Sequence, residues 1–342
     1  MIVGVSGFGY TGSGAVFGYL KERDECDAIN TEFCLAYMPH GIQDLEYHLT
    51  GQISRFYSSD AAIKDFLYLV KKLNSPRSVY RKAMGKNFVE LSQIFIKNIS
   101  QLIWPGWWSY DAIVSDGLHQ TFRFRILNRY IDFWEKKYKL RYTPQKNEKI
   151  YLSIHPENFI EEAKKYINAL IDGFGCDRKK IILLDQPFEA NAPLQSMKYY
   201  EDARAIIVDR DPRDLYILAK KVVLNKGTFI PSNDVHSFIK YYRLCRIGVV
   251  RENSPVVLHI AFEDMIYEYD NTTNKIDTFL GINSINTNRY KFFDPNISIN
   301  NTQLYLRYPE LSDETTIIEK ELSEYLYPFY KYDMKPNNEA SF

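Results

Sequence analysis

The first eighteen residues constrain the fold of this chain more than any other stretch. Ile2, Val3 and Val5 form a short apolar run that predicts a buried strand, and a glycine-rich turn follows it. The residues from Ala15 to Arg23 then change from apolar to charged, as in a helix that ends at the surface. A strand, a glycine loop and a helix in this order present backbone N–H groups and a positive helix N-terminus to a phosphate group.

The chain after this loop predicts a parallel α/β sheet. Residues 28–36 are predicted to form a second strand with Glu32 near its carboxyl end, so the first βαβ unit makes the sheet parallel. Ligands of such sheets bind beyond the carboxyl ends of the strands, and we therefore expect Glu32 and the glycine loop on one rim. Further strands are predicted at residues 149–154, 180–185, 203–209 and 254–260, and helices at 156–174, 215–225 and 237–251.

Residues 40–150 interrupt this alternation with apolar residues at helical spacing. Their last part, residues 121–141, has seven basic residues against Asp132 and Glu135, together with several aromatic residues. Such a helix can contact an anionic or sugar acceptor, or it can be an ordinary solvated face. We expect a single domain, residues 1–342, in which residues 40–150 form a helical insertion.

The composition argues against several classes of function. Among the 342 residues, 43 Lys and Arg balance 43 Asp and Glu, so no net charge attracts nucleic acid or a membrane surface. No apolar run approaches the ~18 residues that a membrane helix needs, and the first strand leaves no room for a signal peptide. The four cysteines have no metal-binding spacing and indicate reduced thiols. We expect a cytoplasmic protein that needs no metal.

Three interpretations of the glycine loop compete. Gly7, Gly9 and Gly12 match GxGxxG, and Glu32 follows at the distance of about 20 residues at which dinucleotide sites place an acid on a ribose hydroxyl. The nucleoside triphosphatase pattern GxxxxGK[ST] fails because Ser13 stands where Lys is needed, which argues against ATP or GTP. In the third interpretation the loop holds a single 5′-phosphate group through its N–H groups and hydroxyls.

Three distant segments favour the third interpretation. Residues 206–214, IIVDRDPRD, resemble the strand, turn and helix with which sulfotransferases bind the 3′-phosphate of 3′-phosphoadenosine 5′-phosphosulfate (PAPS). Residues 257–265 and 276–282 resemble that family's late strand, acidic turn and FLG helix end. Residues 293–301 resemble the Pro, Ser and Asn segment of its bacterial members. The loop and these segments occur in the family's order, so the chain resembles a bacterial, carbohydrate-type PAPS-dependent sulfotransferase.

The RDPRD turn also has a physical reason to bind phosphate. Arg210 and Arg213 place two guanidinium groups around a turn that opens a helix, and arginine can hold a phosphate through two parallel hydrogen bonds. The alternative is a structural turn, in which Asp209 or Asp211 caps the helix, Pro212 lies in its first turn and the arginines form salt bridges. The residues by themselves leave both possibilities open.

The resemblance implies a three-layer α/β fold whose central, mostly parallel sheet is of the P-loop and sulfotransferase type, with the insertion as a lid on the acceptor side. It implies PAPS as co-substrate and transfer of its sulfuryl group to a hydroxyl, with a carbohydrate as the expected acceptor. The residues implied in nucleotide binding are Gly9, Tyr10, Thr11, Gly12, Ser13, Gly14, Arg210, Arg213 and Ser298.

Sulfuryl transfer also needs a base for the acceptor hydroxyl and hydrogen-bond donors for the charge that develops on the leaving phosphate. We predict Glu32 as the base, because it lies on the rim beside the loop. His119 is a second candidate, and Asp116 a third; both belong to the insertion.

Two positions depart from the family pattern. Tyr10 stands where the family usually has Lys or Arg, and Leu218 where it has a Ser that reaches the 3′-phosphate. Either the Tyr10 hydroxyl, Lys220 or Lys221 substitutes for the missing cation, or the chain binds the nucleotide without catalysing transfer. The hypotheses are therefore a sulfotransferase, an NAD(P)-dependent oxidoreductase that uses GxGxxG, and a non-catalytic nucleotide-binding protein.

Overall fold

The central element of the fold is a five-stranded sheet in which every adjacent pair of strands is parallel. The computed structural model describes residues 1–51, 56–106, 129–130, 133, 136–137, 149–223, 229–250, 254–333 and 336. Within these residues the strand order is β2-β5-β1-β6-β7. The five strands are β1 (Ile2–Gly7), β2 (Cys26–Glu32), β5 (Ile181–Asp185), β6 (Ala203–Asp209) and β7 (Val257–Ala261). The predicted α/β class with a parallel sheet is confirmed.

Helices cover both faces of this sheet, because alternate strand residues enter two different apolar clusters. Val3 and Val5 pack with the helices at Ser13–Lys21 and Tyr269–Leu280, whereas Ile182 and Leu184 pack on the opposite face with the helices at Ile42–Thr50, Phe56–Leu73, Asn87–Ile99 and Phe159–Gly173. The described helices are α1 (Ser13–Lys21), α2 (Ile42–Thr50), α3 (Phe56–Leu73), α4 (Val79–Met84), α5 (Asn87–Ile99), α6 (Phe159–Gly173), α7 (Pro193–Met197), α8 (Pro212–Ile217), α9 (Val235–Leu244), α10 (Asp264–Tyr267), α11 (Tyr269–Leu280), α12 (Pro295–Ser298) and α13 (Ser312–Glu321). None of them combines the length and the apolar character that a membrane crossing requires.

Two strand predictions were wrong in part. The strand predicted at residues 28–36 ends at Glu32, because the chain turns where the Phe33 N–H donates to the Asp185 carbonyl at 2.7 Å. The strand predicted at 149–154 exists as β4 (Lys149–Leu152), but it pairs antiparallel with β3 (Leu102–Pro105) in a separate two-stranded sheet. An extended apolar run indicates a strand without naming its partner, because pairing is decided by distant packing.

The predicted insertion is described only in part. Helices α2 to α5 lie within residues 40–150, and α5 is tied to α6 by the hydrogen bond between the Ser92 and Tyr166 hydroxyls at 2.6 Å. His119, Asp116 and most of the predicted basic helix lie outside the described residues. The single domain, and the role of the insertion as a lid, stay predictions.

Gly4 in β1 allows Phe188 to pack against the centre of the sheet, since a Cβ at this position would overlap the Phe188 ring and Pro187. We expect Gly4→Ala to lower the free energy of unfolding by about 1–3 kcal/mol through overpacking, as measured by urea denaturation. The matched control is Gly14→Ala in α1, where no atom lies within 4 Å of the added Cβ. Equal losses in the two variants would contradict this packing argument.

Candidate functional site

A loop of residues 8–12 leaves the carboxyl end of β1, the middle strand of the sheet, and leads into the first turn of α1 at Ser13. Gly9 and Gly12 have φ angles of 83° and 87°, and Tyr10 between them has a φ of 55°. Glycine adopts this left-handed conformation freely, whereas a tyrosine rarely does. At Gly12 a Cβ would in addition overlap the ring of Phe262. The backbone of the loop therefore requires glycine at Gly12, and it holds Tyr10 in an uncommon conformation.

The Thr11 side chain fastens this loop to the sheet. Its hydroxyl donates to the Val208 carbonyl of β6 at 2.7 Å and accepts from the Phe8 N–H at 3.1 Å. Thr11 is only 1% exposed. The Thr11 hydroxyl, which was predicted to contact a phosphate, thus has a structural role. The backbone N–H of Thr11 remains available to a ligand.

The N–H groups of the loop are not used inside the described part of the chain. None of those at residues 9–14 donates to a described residue, and α1 begins at Ser13 without a side-chain cap or an acidic residue in its first turn. The first N–H groups of a helix have no partner within the helix, and they carry the positive end of its dipole. This end of α1 therefore favours an anion.

Gln186, which the sequence did not predict, joins the loop to the neighbouring strand β5. Its Oε1 accepts from the Gly7 N–H at 3.2 Å, and its Nε2 donates to the Ser13 hydroxyl at 2.9 Å. The only available signal was its position directly after a predicted strand, on the rim where ligands bind. Gln186 fixes the side chain of Ser13 at the start of α1.

Arg210, at the end of β6, lies against the same loop. Its Nη1 is 3.4 Å from the Tyr10 carbonyl, its Nη2 donates to the Asn301 carbonyl, and its Cζ is 5.0 Å from the centre of the Phe262 ring. The side chain is 5% exposed, its Nε has no hydrogen-bond acceptor, and it forms no ion pair with a described residue. Burial of an unpaired guanidinium is costly unless an anion accompanies it.

Arg213, in contrast, is neutralised within the protein. Its Nε and Nη2 donate to the Asp211 carboxylate at 3.0 and 2.8 Å, and its Cζ lies 4.3 Å from the centre of the Tyr305 ring. Asp211 also caps α8 by accepting from the Arg213 N–H at 2.9 Å, with Pro212 in the first turn. These are the contacts of the structural alternative for the RDPRD turn, and they occupy an edge of the guanidinium that a phosphate would use.

A cavity of about 240 Å³ adjoins Arg210 at the carboxyl ends of β6 and β7. Arg246 lies in its wall, where it forms an ion pair with Asp209 at 2.5 Å. Glu263 also lines it, and burial together with the charge of Asp211 raises the pKa of this carboxyl well above its usual range. The nearby charge of Arg210 acts in the opposite direction and lowers the pKa of Glu263, but the two side chains form no ion pair.

The other predicted substitutes for the missing cation are engaged elsewhere. Lys220 pairs with Glu314 at 2.7 Å, Lys221 pairs with Glu310 at 2.9 Å, and Leu218 is buried in the core. These contacts turn both lysines toward carboxylates of the later chain. The substitution of a lysine for the loop cation is therefore disfavoured.

Tyr10 remains at the mouth of the loop, with 39% of its surface exposed. Its ring stacks on Phe229, with the ring centres 5.8 Å apart and the planes inclined by 17°. Ser298 lies at the end of α12, three residues before the Asn301 carbonyl that accepts from Arg210. The roles of Tyr10 and Ser298 toward a ligand stay predictions.

Glu32, the predicted base, lies on the predicted rim but at the edge of the sheet. Strand β5 separates β2 from β1, so Glu32 is paired in register with Asp185 and not with a residue of the loop strand. The register of β2 shifts between Ile29 and Glu32, which places Glu32 opposite Asp185. Burial, and then the charge of Glu32, raise the pKa of Asp185 to about 6.

The strand order also bears on the dinucleotide interpretation. In dinucleotide-binding folds the second strand lies beside the first, and its acidic residue reaches the ribose of a nucleotide bound at the first loop. Here β2 is two strands away from β1, a separation of roughly 10 Å between strand axes. The position of Glu32 therefore disfavours the GxGxxG interpretation.

Comparisons with known proteins do not identify a family for this chain. No protein-family model matches the sequence, and no curated protein matches it. Among solved structures, the chain is similar to the sulfotransferase STF9 from Mycobacterium avium, with a TM-score of 0.36 and 12% sequence identity over 99% of this chain and 78% of that one. A likeness of this degree is too slight to carry a function, which must rest on the site itself.

The raised pKa of Asp185 predicts a pH-dependent stability. The folded state holds the Asp185 proton more tightly than the unfolded chain, so stability falls as pH rises from the usual aspartate value of 3.8 through about 6. We expect Asp185→Asn, which stays neutral, to raise the free energy of unfolding at pH 7.5 by about 1 kcal/mol after solvent screening. Urea denaturation at pH 7.5 and pH 4 tests this, with the gain confined to pH 7.5. A gain of equal size at both pH values would exclude the ionisation of Asp185 as its cause.

Proposed function

We propose that this protein is a sulfotransferase that moves a sulfuryl group from PAPS to a hydroxyl acceptor. The observation that carries the proposal is Arg210, a buried guanidinium without an ion pair, beside a loop whose N–H groups have no acceptor in the described chain. Two separate donor sets at the ends of neighbouring strands suit a ligand with two phosphate groups, and the order of the sequence motifs supports the same assignment.

The two phosphate groups of the nucleotide would have different partners. We assign the 5′-phosphosulfate to the N–H groups of residues 9–14 and to the N-terminus of α1, where Gln186 orients the Ser13 hydroxyl. The 3′-phosphate is assigned to Arg210, with Ser298 as a further candidate. Arg213 would act indirectly, because its ion pair with Asp211 shapes the turn that holds Arg210.

Sulfuryl transfer requires a group that accepts the proton of the acceptor hydroxyl and groups that stabilise the leaving phosphate. The acceptor oxygen forms a bond to sulfur while the bond from sulfur to the 5′-phosphate oxygen breaks, which releases adenosine 3′,5′-bisphosphate. The acceptor proton passes to a carboxylate on the rim, for which Glu32 is the candidate from the sequence. The N–H groups of the loop and the helix end stabilise the charge that develops on the departing phosphate.

A carbohydrate is the acceptor we propose, on the basis of the family resemblance and of the aromatic residues in the 40–150 segment. Aromatic rings provide flat apolar surfaces, and such surfaces suit sugar rings as well as other planar ligands. A non-catalytic nucleotide-binding protein is the second candidate, because Tyr10 replaces the usual cation and both lysines that could substitute for it, Lys220 and Lys221, are ion-paired.

Nucleotide binding distinguishes a protein that holds PAPS from an oxidoreductase that uses NAD(P). We expect adenosine 3′,5′-bisphosphate to raise the melting temperature of the protein, and NAD and ATP to leave it nearly unchanged, in thermal-shift measurements. Arg210→Ala should weaken bisphosphate binding about 10- to 100-fold, because charge-assisted hydrogen bonds to the phosphate are lost. The matched control is Arg243→Ala, which removes an exposed arginine paired with Glu321.

The outcomes separate the candidates. A shift with NAD and none with the bisphosphate would refute the sulfotransferase proposal, and an unchanged bisphosphate affinity in Arg210→Ala would refute the role of Arg210. Transfer of labelled sulfate from PAPS to a panel of glycans then distinguishes an enzyme from a protein that only binds the nucleotide.

A further inference from the structure

We propose that Asp185, a residue to which no role has been assigned, is the group that takes the proton from the acceptor hydroxyl, and that Glu32 acts through Asp185. This inference rests on the proposed sulfuryl transfer and names the base of that reaction. It is argued from the position of Asp185 relative to the glycine loop.

Asp185 lies on the strand next to the loop strand β1, whereas Glu32 lies on the strand beyond it. Strand β5 pairs directly with β1, and Asp185 is in register with Val5, two residues before the loop strand ends at Gly7. Glu32 lies on the edge strand β2, one strand farther away. The axis of β5 is about 5 Å from that of β1, and the axis of β2 is roughly 10 Å from it. Of the two, Asp185 is therefore the better placed to reach a hydroxyl that attacks a group held by the loop.

The residue that follows Asp185 ties its backbone to the loop. The Gln186 N–H donates to the Val5 carbonyl at 2.9 Å, while its side chain contacts the Gly7 N–H and the Ser13 hydroxyl. Gln186 has a φ of 51°, a left-handed conformation that is uncommon for this residue type. These contacts fix the end of β5 against the start of α1, and a base must be held with this kind of precision.

The surroundings of Asp185 favour its neutral form and leave its oxygens available. The carboxylate is half-buried and accepts no hydrogen bond from a described residue. Glu32 faces it from β2. In the turn after β2, burial raises the pKa values of Cys34 and Tyr37, and the charges of Glu32 and Asp185 raise them further, with Glu189 also contributing for Tyr37. The neighbouring charges are thus all acidic, and burial acts in the same direction.

A base works best when its pKa lies near the working pH, and the pKa of Asp185 at about 6 meets this condition. In the step we propose, the acceptor proton moves to an Asp185 carboxylate oxygen as the acceptor oxygen bonds to sulfur. The bond from sulfur to the 5′-phosphate oxygen breaks, and the electron pair leaves with the bisphosphate. The proton is then released to solvent, since the side chain is only half-buried.

The first arm of the test measures the titration of the carboxyl groups by NMR of protein labelled with ¹³C in Asp and Glu side chains. We expect Asp185, identified by its loss in Asp185→Asn, to titrate at about 6, and to titrate at a lower pH in Glu32→Gln. Glu189→Gln removes an exposed carboxylate of the same region and is the matched control, with no comparable change. Titration of Asp185 at about 4, as in an unfolded chain, would overturn the proposal.

The second arm measures sulfate transfer from labelled PAPS to the glycan panel as a function of pH. Asp185→Asn should lower the rate about 10²- to 10⁴-fold while bisphosphate binding is kept, and Glu32→Gln should shift the acid limb of the profile to lower pH with a smaller loss. Loss of transfer in Glu32→Gln with retention in Asp185→Asn would overturn the assignment. If no glycan is sulfated, the titration arm decides whether Asp185 has the pKa of about 6 that the proposed base requires.

The two proposals fail in different ways. If the bisphosphate does not bind while Asp185 titrates as expected, the sulfotransferase function is wrong and the coupling of Asp185 with Glu32 stands. If the bisphosphate binds and Asp185 titrates like an ordinary aspartate, the function stands and Asp185 is not its base.

Discussion

The candidate site depends on one buried positive charge, Arg210, which forms no ion pair with a residue that the structure describes. Three arginines lie around the end of β6. Two of them form ion pairs within the fold, Arg213 with Asp211 and Arg246 with Asp209. Arg210 is left with carbonyl partners and an unsatisfied Nε. Since a buried cation without a counter-ion is unfavourable, this arrangement is best explained by an anionic ligand that completes it.

The glycine loop and this arginine form one unit, because the same contacts support both. The Thr11 hydroxyl binds the loop to β6, and Gly12 permits the close approach of Phe262, over which Arg210 also lies. A substitution in the loop is therefore expected to disturb Arg210 as well. The candidate anion site is built from the carboxyl ends of two adjacent strands, as is usual for ligands of parallel sheets.

In the proposed reaction, the acceptor lies beside the carboxylates on the other side of β1. Asp185 stands between Glu32 and the loop, so its ionisation depends on both the edge strand and the depth of burial. In the proposed reaction, the rim supplies donors for the leaving phosphate on one side of β1 and an acceptor for the proton on the other. That division of charge is what an in-line transfer between an anionic donor and a neutral hydroxyl requires.

The sequence by itself determined the local elements, and the tertiary structure decided which of their side chains meet. The apolar run of β1, the glycines of its loop and the Asp-Pro cap of the RDPRD turn are local signals, so these elements could be predicted. Strand order is set by packing between residues far apart in the chain. It places Glu32 on the edge strand, and it places Asp185 and Gln186 at the end of the strand beside the loop strand. The RDPRD pattern likewise could not distinguish Arg210, which forms no ion pair with a described residue, from the ion-paired Arg213. The partners of the two arginines differ only once the chain is folded.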